Sequence, residues 1–149
     1  FRAHDVGVLQ MPCPEIAALG MRRARKPGQR IREALDTEVG RACCAGLAGD
    51  VAARVAVWCD EGYEFLGVLG GNPMSPGCAV HHRDCDEGGV VGDGGELATE
   101  LSNQAGIFMQ TLQAEFRRRG LPVRFMAIRD HDPELLAADL VALRALLVA

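Results

Sequence analysis

Apolar residues fall into two patterns along the chain: short continuous runs, and longer stretches that recur every three or four positions. The continuous runs cover residues 5–11, 63–70 and 123–128, and each reads as a strand buried on both faces. Pro12 and Pro14 end the first run, because neither can donate to a ladder. Asp36 and Thr37 look like a cap for a long amphipathic helix that Gly62 ends. Its predicted buried stripe is Val39, Cys43, Leu47, Val51, Val55 and Trp58, with Ala42, Gly46 and Cys59 beside it. Gly40, Gly46 and Gly49 each weaken that helix by roughly 1 kcal/mol relative to Ala, so packing must hold it.

Shorter helical turns are expected over 16–21, 29–35 and 96–102. A second long helix is predicted from about Asn103 to Arg119, with Ile107, Phe108, Leu112 and Phe116 inward and Gly120 as its stop. Asp132 and Pro133 supply an N-cap and N1 proline for the last helix, residues 134–147. Its expected core stripe is Leu136, Leu140, Leu143 and Leu147. Residues 71–95 read as a long loop, which is usually functional or disordered.

Strand, helix, strand, helix, strand, helix is the pattern of an α/β domain. The expectation is a three-layer, Rossmann-like fold with a small parallel sheet, flanking helices and a site at the strand C-terminal ends. All 149 residues are expected in one domain. It opens on Phe1, with residues 1–5 reading like the end of a helix entering a strand, and is expected to lack an N-terminal strand and helix.

Composition adds a soluble, globular character. No run looks like a secretory leader, and none looks long enough to span a membrane, so a cytoplasmic protein without a membrane partner is expected. The net charge of -4 argues against a general nucleic-acid binder. Oligomeric state is not readable. The basic run over 22–32 reads as a solvated loop or as a phosphate contact. The glycine-rich stretch 88–95 lacks the Lys-Ser/Thr and strand of a phosphate loop and reads as a flexible insertion.

Cysteines stand at 13, 43, 44, 59, 78 and 85. In a reducing compartment thiols or metal ligands are favoured over disulfides. Cys43, Cys44 and Cys59 fall on the long helix and read as structural. His81, His82, Asp84 and Cys85 have the residue types of a metal site, although adjacent histidines on a loop are more often surface residues. Cys13 and Cys78 each lie in a tight turn just past a strand-like run, where free backbone amides can bond a thiolate. They read either as inert thiols or as two corners of one metal or cluster site.

The segment from Gly7 to Glu15, with Cys13-Pro-Glu15 and then Leu19-Gly20 and Arg22, resembles a signature of the thiouracil desulfidase family. Ser75-Pro-Gly-Cys78 resembles that family's later Ser-Pro-Ser-Cys-Gly turn, and Gly106-Ile-Phe-Met109 resembles a third element that starts a helix. The order agrees, over roughly residues 5–128. Gly77 and Ala79 stand where the family has Ser and Gly, and no segment here corresponds to the family's N-terminal cysteine motif.

The resemblance implies a [4Fe-4S] cluster with Cys13 and Cys78 among its ligands, and one iron open to take sulfur from a thiolated pyrimidine. Three ligands leave an open position, as in catalytic zinc sites. Glu15 would shuttle protons, and Ser75 would contact the substrate or its sulfur. The implied substrate is a thiolated nucleobase, free or within tRNA. Two further readings stand beside it: a non-catalytic cluster or metal module, and a degenerate nucleobase-binding domain.

Overall fold

A computed structural model describes residues 1–80 and 97–148. After a 3-10 turn at Arg2–His4, the elements are α1 (Pro14–Leu19), α2 (Ile31–Leu35), α3 (Glu38–Asp60), β1 (Val68–Leu69), α4 (Ile107–Arg118), β2 (Phe125–Met126) and α5 (Pro133–Val148). Helix occupies 49% and strand 4% of the described residues, which overturns the three-layer α/β expectation. The sheet has two strands of two residues, paired in parallel with Val68 opposite Phe125. Ala98 adds one antiparallel bridge to Phe125, where a helical turn was expected.

The missing strand is the first one. Residues 6–11 form no strand, and Val8 is 66% exposed. A strand needs neighbours for its main-chain groups. Gly7, Val8 and Leu9 find none among the described residues.

The core lies between α3 and α4, the most closely packed pair of elements. Ile107, Phe108, Leu112 and Phe116 are all buried, as the helical spacing predicts. Phe116 meets Phe65 edge-on at 5.4 Å and stacks on Phe125 at 6.5 Å between ring centroids, geometries that add to burial energy. Gly120, at φ 66°, takes the left-handed turn that stops α4.

Helix α3 begins where expected: Thr37 caps it, its hydroxyl accepting from the Gly40 amide at 3.2 Å. Its buried stripe matches the expectation at Val51 and Val55 and departs from it elsewhere. Gly40, Cys44, Ala48, Val51, Ala52 and Val55 face inward, whereas Val39 and Trp58 are exposed. Close approach selects the small residues. A Cβ on Gly40 would lie 2.5 Å from the Leu35 carbonyl oxygen, so glycine here serves the α2–α3 contact. Burial pushes the Cys44 thiol up to about 11, in keeping with a structural role. With mean hydropathy 1.4, α3 is long and apolar enough to cross a membrane, contrary to the expectation that no such run exists.

Helix α5 starts on the expected cap, with Asp132 Oδ1 accepting from the amides of Glu134 at 2.9 Å and Leu135 at 3.1 Å. The leucine stripe is not core: Leu140 is exposed, and Leu136, Leu143 and Leu147 are only half-buried. What anchors α5 is a buried ion pair. Arg129 donates to Asp139 through Nη2 at 2.6 Å, through Nε at 3.0 Å and through its amide at 2.7 Å. Asp139 is 0% exposed. Burial pushes its carboxyl up, but the Arg129 hydrogen bonds and charge outweigh that and hold it below its ordinary value.

Candidate functional site

The chain from α1 and the turn after β1 meet over the start of α4. In the turn, Ser75 donates its amide to Asn72 at 2.8 Å, and Ala79 donates back to the Ser75 carbonyl at 3.2 Å. The Cys78 carbonyl accepts from Gly71, just past β1, at 2.7 Å. Helix α4 abuts this turn with its free amides inward. Gly106, Ile107 and Phe108 donate to the carbonyls of Ala79, Pro76 and Gly77 at 2.8, 3.0 and 3.0 Å. Those amides would otherwise be orphans of the helix start.

Two glycines permit the approach. A Cβ on Gly106 would lie 2.7 Å from the Cys78 nitrogen and closer still to the Gly77 carbonyl. A Cβ on Gly77 would lie 2.8 Å from Pro14 Cγ. Pro14 therefore sits on the turn, and the flanking Cys13 and Glu15 are carried to it. Gly77, which departs from the resembled motif, makes this contact possible.

Glu15, Arg23, Ser75 and Cys78 converge there. Glu15 is only 9% exposed, with both carboxylate oxygens engaged. The Ser75 hydroxyl is 3.3 Å from Oε1, and Arg23 Nε donates to Oε2 at 2.6 Å. Ser75 Oγ also lies 3.1 Å from Cys78 Sγ and accepts from the Cys78 amide at 3.2 Å. Cys13 occupies the N-cap position of α1 without a side-chain cap bond and is exposed, while Cys78 is half-buried.

A hydroxyl carries one proton. When Ser75 donates to Glu15, the Cys78 thiol donates to Ser75; when Cys78 is a thiolate, Ser75 can donate to it instead. Cys78, Ser75 and Glu15 thus form a continuous path for a proton. Burial pushes the Cys78 thiol up; the Ser75 hydrogen bond and the Gly71 amide pull it down, and the charges of Glu15 and Cys13 push it up.

Arg23 was legible only as part of the basic run. A tight turn sets its position: Arg23 donates to the Gly20 carbonyl and Ala24 to that of Leu19, each at 2.9 Å. Arg23 itself is left-handed at φ 48°, unusual for a side chain of its size. Its guanidinium is raised by the Glu15 hydrogen bond and charge, with a smaller contribution from Cys13. Elsewhere in the run, Arg32 donates to the carbonyls of Asn103, Gln104 and Ala105. These two cations have structural partners, which leaves less of the run for phosphate.

Glu15, Ser75 and Cys78, singled out from the sequence, are brought into hydrogen-bond contact, while Cys13 stands exposed at the start of α1. Cys43, Cys44 and Cys59 sit apart on α3. Residues 81–85 and 88–95 lie outside the described residues. Two thiols and a carboxylate suit two corners of a cluster site, thiolate being the usual ligand of iron–sulfur centres. Among the described residues, no group of three His, Cys, Asp or Glu is placed to hold a metal ion. The third implied corner is therefore not among them.

Helices on a minimal parallel sheet, with one thiol linked through a serine to a buried carboxylate, define a mainly helical scaffold. No protein family, curated protein or solved structure matches the chain in comparisons with known proteins.

Proposed function

We propose that Cys13 and Cys78 are ligands of a [4Fe-4S] cluster, and that the chain desulfurates a thiolated pyrimidine of the thiouracil or thiouridine type. The observation that carries this reading is the unbroken Cys78–Ser75–Glu15 hydrogen-bond path between segments 60 residues apart. When bound, the cluster supplies an iron that accepts sulfur from the substrate. The chain's own residues handle protons. A thiol must lose its proton to become a ligand, and Ser75 can relay that of Cys78 to Glu15. Glu15 is then a proton donor or acceptor at Oε1, for the attacking water or the departing group. Arg23 holds the other oxygen and fixes the carboxylate's orientation. A reducing, cytoplasmic compartment would keep both thiols available.

Anaerobic reconstitution with iron and sulfide tests the proposal. The expected product is brown, with broad visible absorption that is lost in Cys13→Ser and Cys78→Ser. Incubation with 2-thiouracil then releases sulfide. Glu15→Gln is expected to keep the cluster and lose about a hundredfold or more in sulfide release. No cluster would overturn the proposal. A cluster without sulfide release would leave a non-catalytic module, and unchanged turnover in Glu15→Gln would remove Glu15 from the chemistry.

A further inference from the structure

The entry of α4 is gripped from two sides. Ahead of the helix, the Gln104 amide donates to the Ser102 hydroxyl at 3.2 Å and the Ala105 amide to the Ser102 carbonyl at 3.1 Å. This turn leaves the carbonyls of residues 103–105 facing α2, where the half-buried Arg32 gathers all three. Its Nη2 donates to Asn103 at 2.8 Å, and its Nη1 to Ala105 at 2.9 Å and to Gln104 at 3.3 Å. Gln110, in the first turn of α4, donates to the Asn103 and Ala105 carbonyls as well, at 3.0 and 2.7 Å. The Ala105 carbonyl and the Gly106 amide belong to one planar, trans peptide unit, so its oxygen and hydrogen point in opposite directions. The oxygen faces the Arg32 guanidinium. The hydrogen goes to the Ala79 carbonyl at 2.8 Å, next to Cys78.

We infer that Arg32 is a positioning residue for Cys78: through the 105–106 peptide it fixes the start of α4, and with it the thiol turn. A cation on the peptide oxygen polarises the unit and strengthens the bond that its amide donates. Arg32, Ala105–Gly106 and Ala79 thus form one charge-assisted line from α2 to the turn. The same helix also touches the turn directly. Leu35 lies three positions after Arg32, on the same face, and is fully buried. Its Cδ1 is 3.4 Å from where a Cβ on Gly77 would lie. A cation just ahead of a helix opposes the helix dipole, so the three carbonyls must outweigh that cost. Their spacing suits the planar fork of a guanidinium, which a lysine does not reproduce. As a role in holding a ligand ready for a cluster, this inference rests on the proposed function; the positioning of Cys78 itself does not.

Two measurements on the whole chain test this: iodoacetamide labelling of Cys78 by peptide mapping, and hydrogen exchange of the Gly106 amide by NMR. Neither needs cluster or substrate, so a failed reconstitution would sink the proposed function and leave this test standing. Arg32→Met keeps the length of the side chain and removes its donors. Cys78 labelling and Gly106 exchange are each expected to rise about tenfold, the effect of about 1.4 kcal/mol on opening of the turn. Arg32→Lys keeps the charge without the fork and should fall between the parent and Arg32→Met in both measurements; it carries the test if Arg32→Met does not fold. The parent in enough urea to match the stability of the variant separates positioning from stability. It should label Cys78 several-fold more slowly than the variant, with Cys44 protected in both. Equal Cys78 rates in the variant and the urea-matched parent would show a merely structural role and overturn the inference, as would rates unchanged from the parent in both variants.

Discussion

Gly106→Ala is the sharpest test of how the thiol site is held. The added Cβ would lie 2.7 Å from the Cys78 nitrogen and nearer still to the Gly77 carbonyl. All of these are backbone atoms, so no side-chain rotation relieves the clash. Either α4 withdraws from the turn or the turn deforms. Overpacking of this kind costs about 2 kcal/mol. Withdrawal would also break two of the three amide bonds that α4 gives to the turn, at about 1 kcal/mol each. The expected loss is about 4 kcal/mol, within the reach of a domain of ordinary stability, and corresponds to roughly 10–15 °C in Tm. Urea unfolding measures it, and Cys78 alkylation before unfolding should speed up as the turn loosens. Gly46→Ala is the control: it is exposed in mid-α3 with nothing within 4 Å of its Cβ, and should gain up to about 1 kcal/mol. If Gly106→Ala unfolds within about 0.5 kcal/mol of the parent, with unchanged Cys78 reactivity, the contact does not hold the site.

Other outcomes follow from the same geometry. Asp139→Asn leaves Arg129 buried without its charge partner and should cost about 3 kcal/mol at neutral pH by urea unfolding. The Asp139 carboxyl is held below its ordinary value of 3.8, so its contribution is complete above that pH and is lost as pH falls through the depressed folded value. The gap between parent and Asp139→Asn should therefore close in acid. Peptide mapping after iodoacetamide should find Cys13 modified first, Cys78 more slowly and Cys44 only on unfolding, because Cys13 is exposed and burial raises the other two. Early modification of Cys44 would contradict its place in the core. Thr37→Ala removes the α3 cap and should cost about 1 kcal/mol by urea unfolding.

Local signals were readable where one side chain or one spacing settles the outcome. Thr37, Asp132 and Gly120 mark helix ends because caps and left-handed stops are local chemistry. The inward face of α4 followed from spacing, since large apolar residues there meet equally large ones in Phe65 and Phe125. On α3 the same reasoning found Val51 and Val55 but misplaced the rest of the stripe. It weighed Val39 and Trp58 by size, while contact with α2 and α4 selected Gly40, Cys44, Ala48 and Ala52 by smallness. The strands failed for another reason. Residues 6–11 have the composition of a buried strand, but strand formation depends on partners elsewhere in space, and residue order does not say whether they are there. Arg23 was hidden because its role depends on a left-handed turn with no glycine at that position to announce it.

The site came together even though the sheet expected to build it did not, and the reason lies in what holds each. A sheet edge places residues through many cooperative ladder bonds, and here the ladder is two residues long. The thiol site relies instead on three α4 amides, the Gly106 and Gly77 approaches, and the Arg23–Glu15–Ser75–Cys78 contacts. These interactions join segments distant in sequence, and none of them passes through residues 6–11 or the open edge of β1. Motif residues at 13–15, 75–78 and 106–109 therefore predict one another's positions better than the strand pattern predicts the fold. Loosening α4 should therefore disturb the thiol turn, and disturbing the turn should loosen α4.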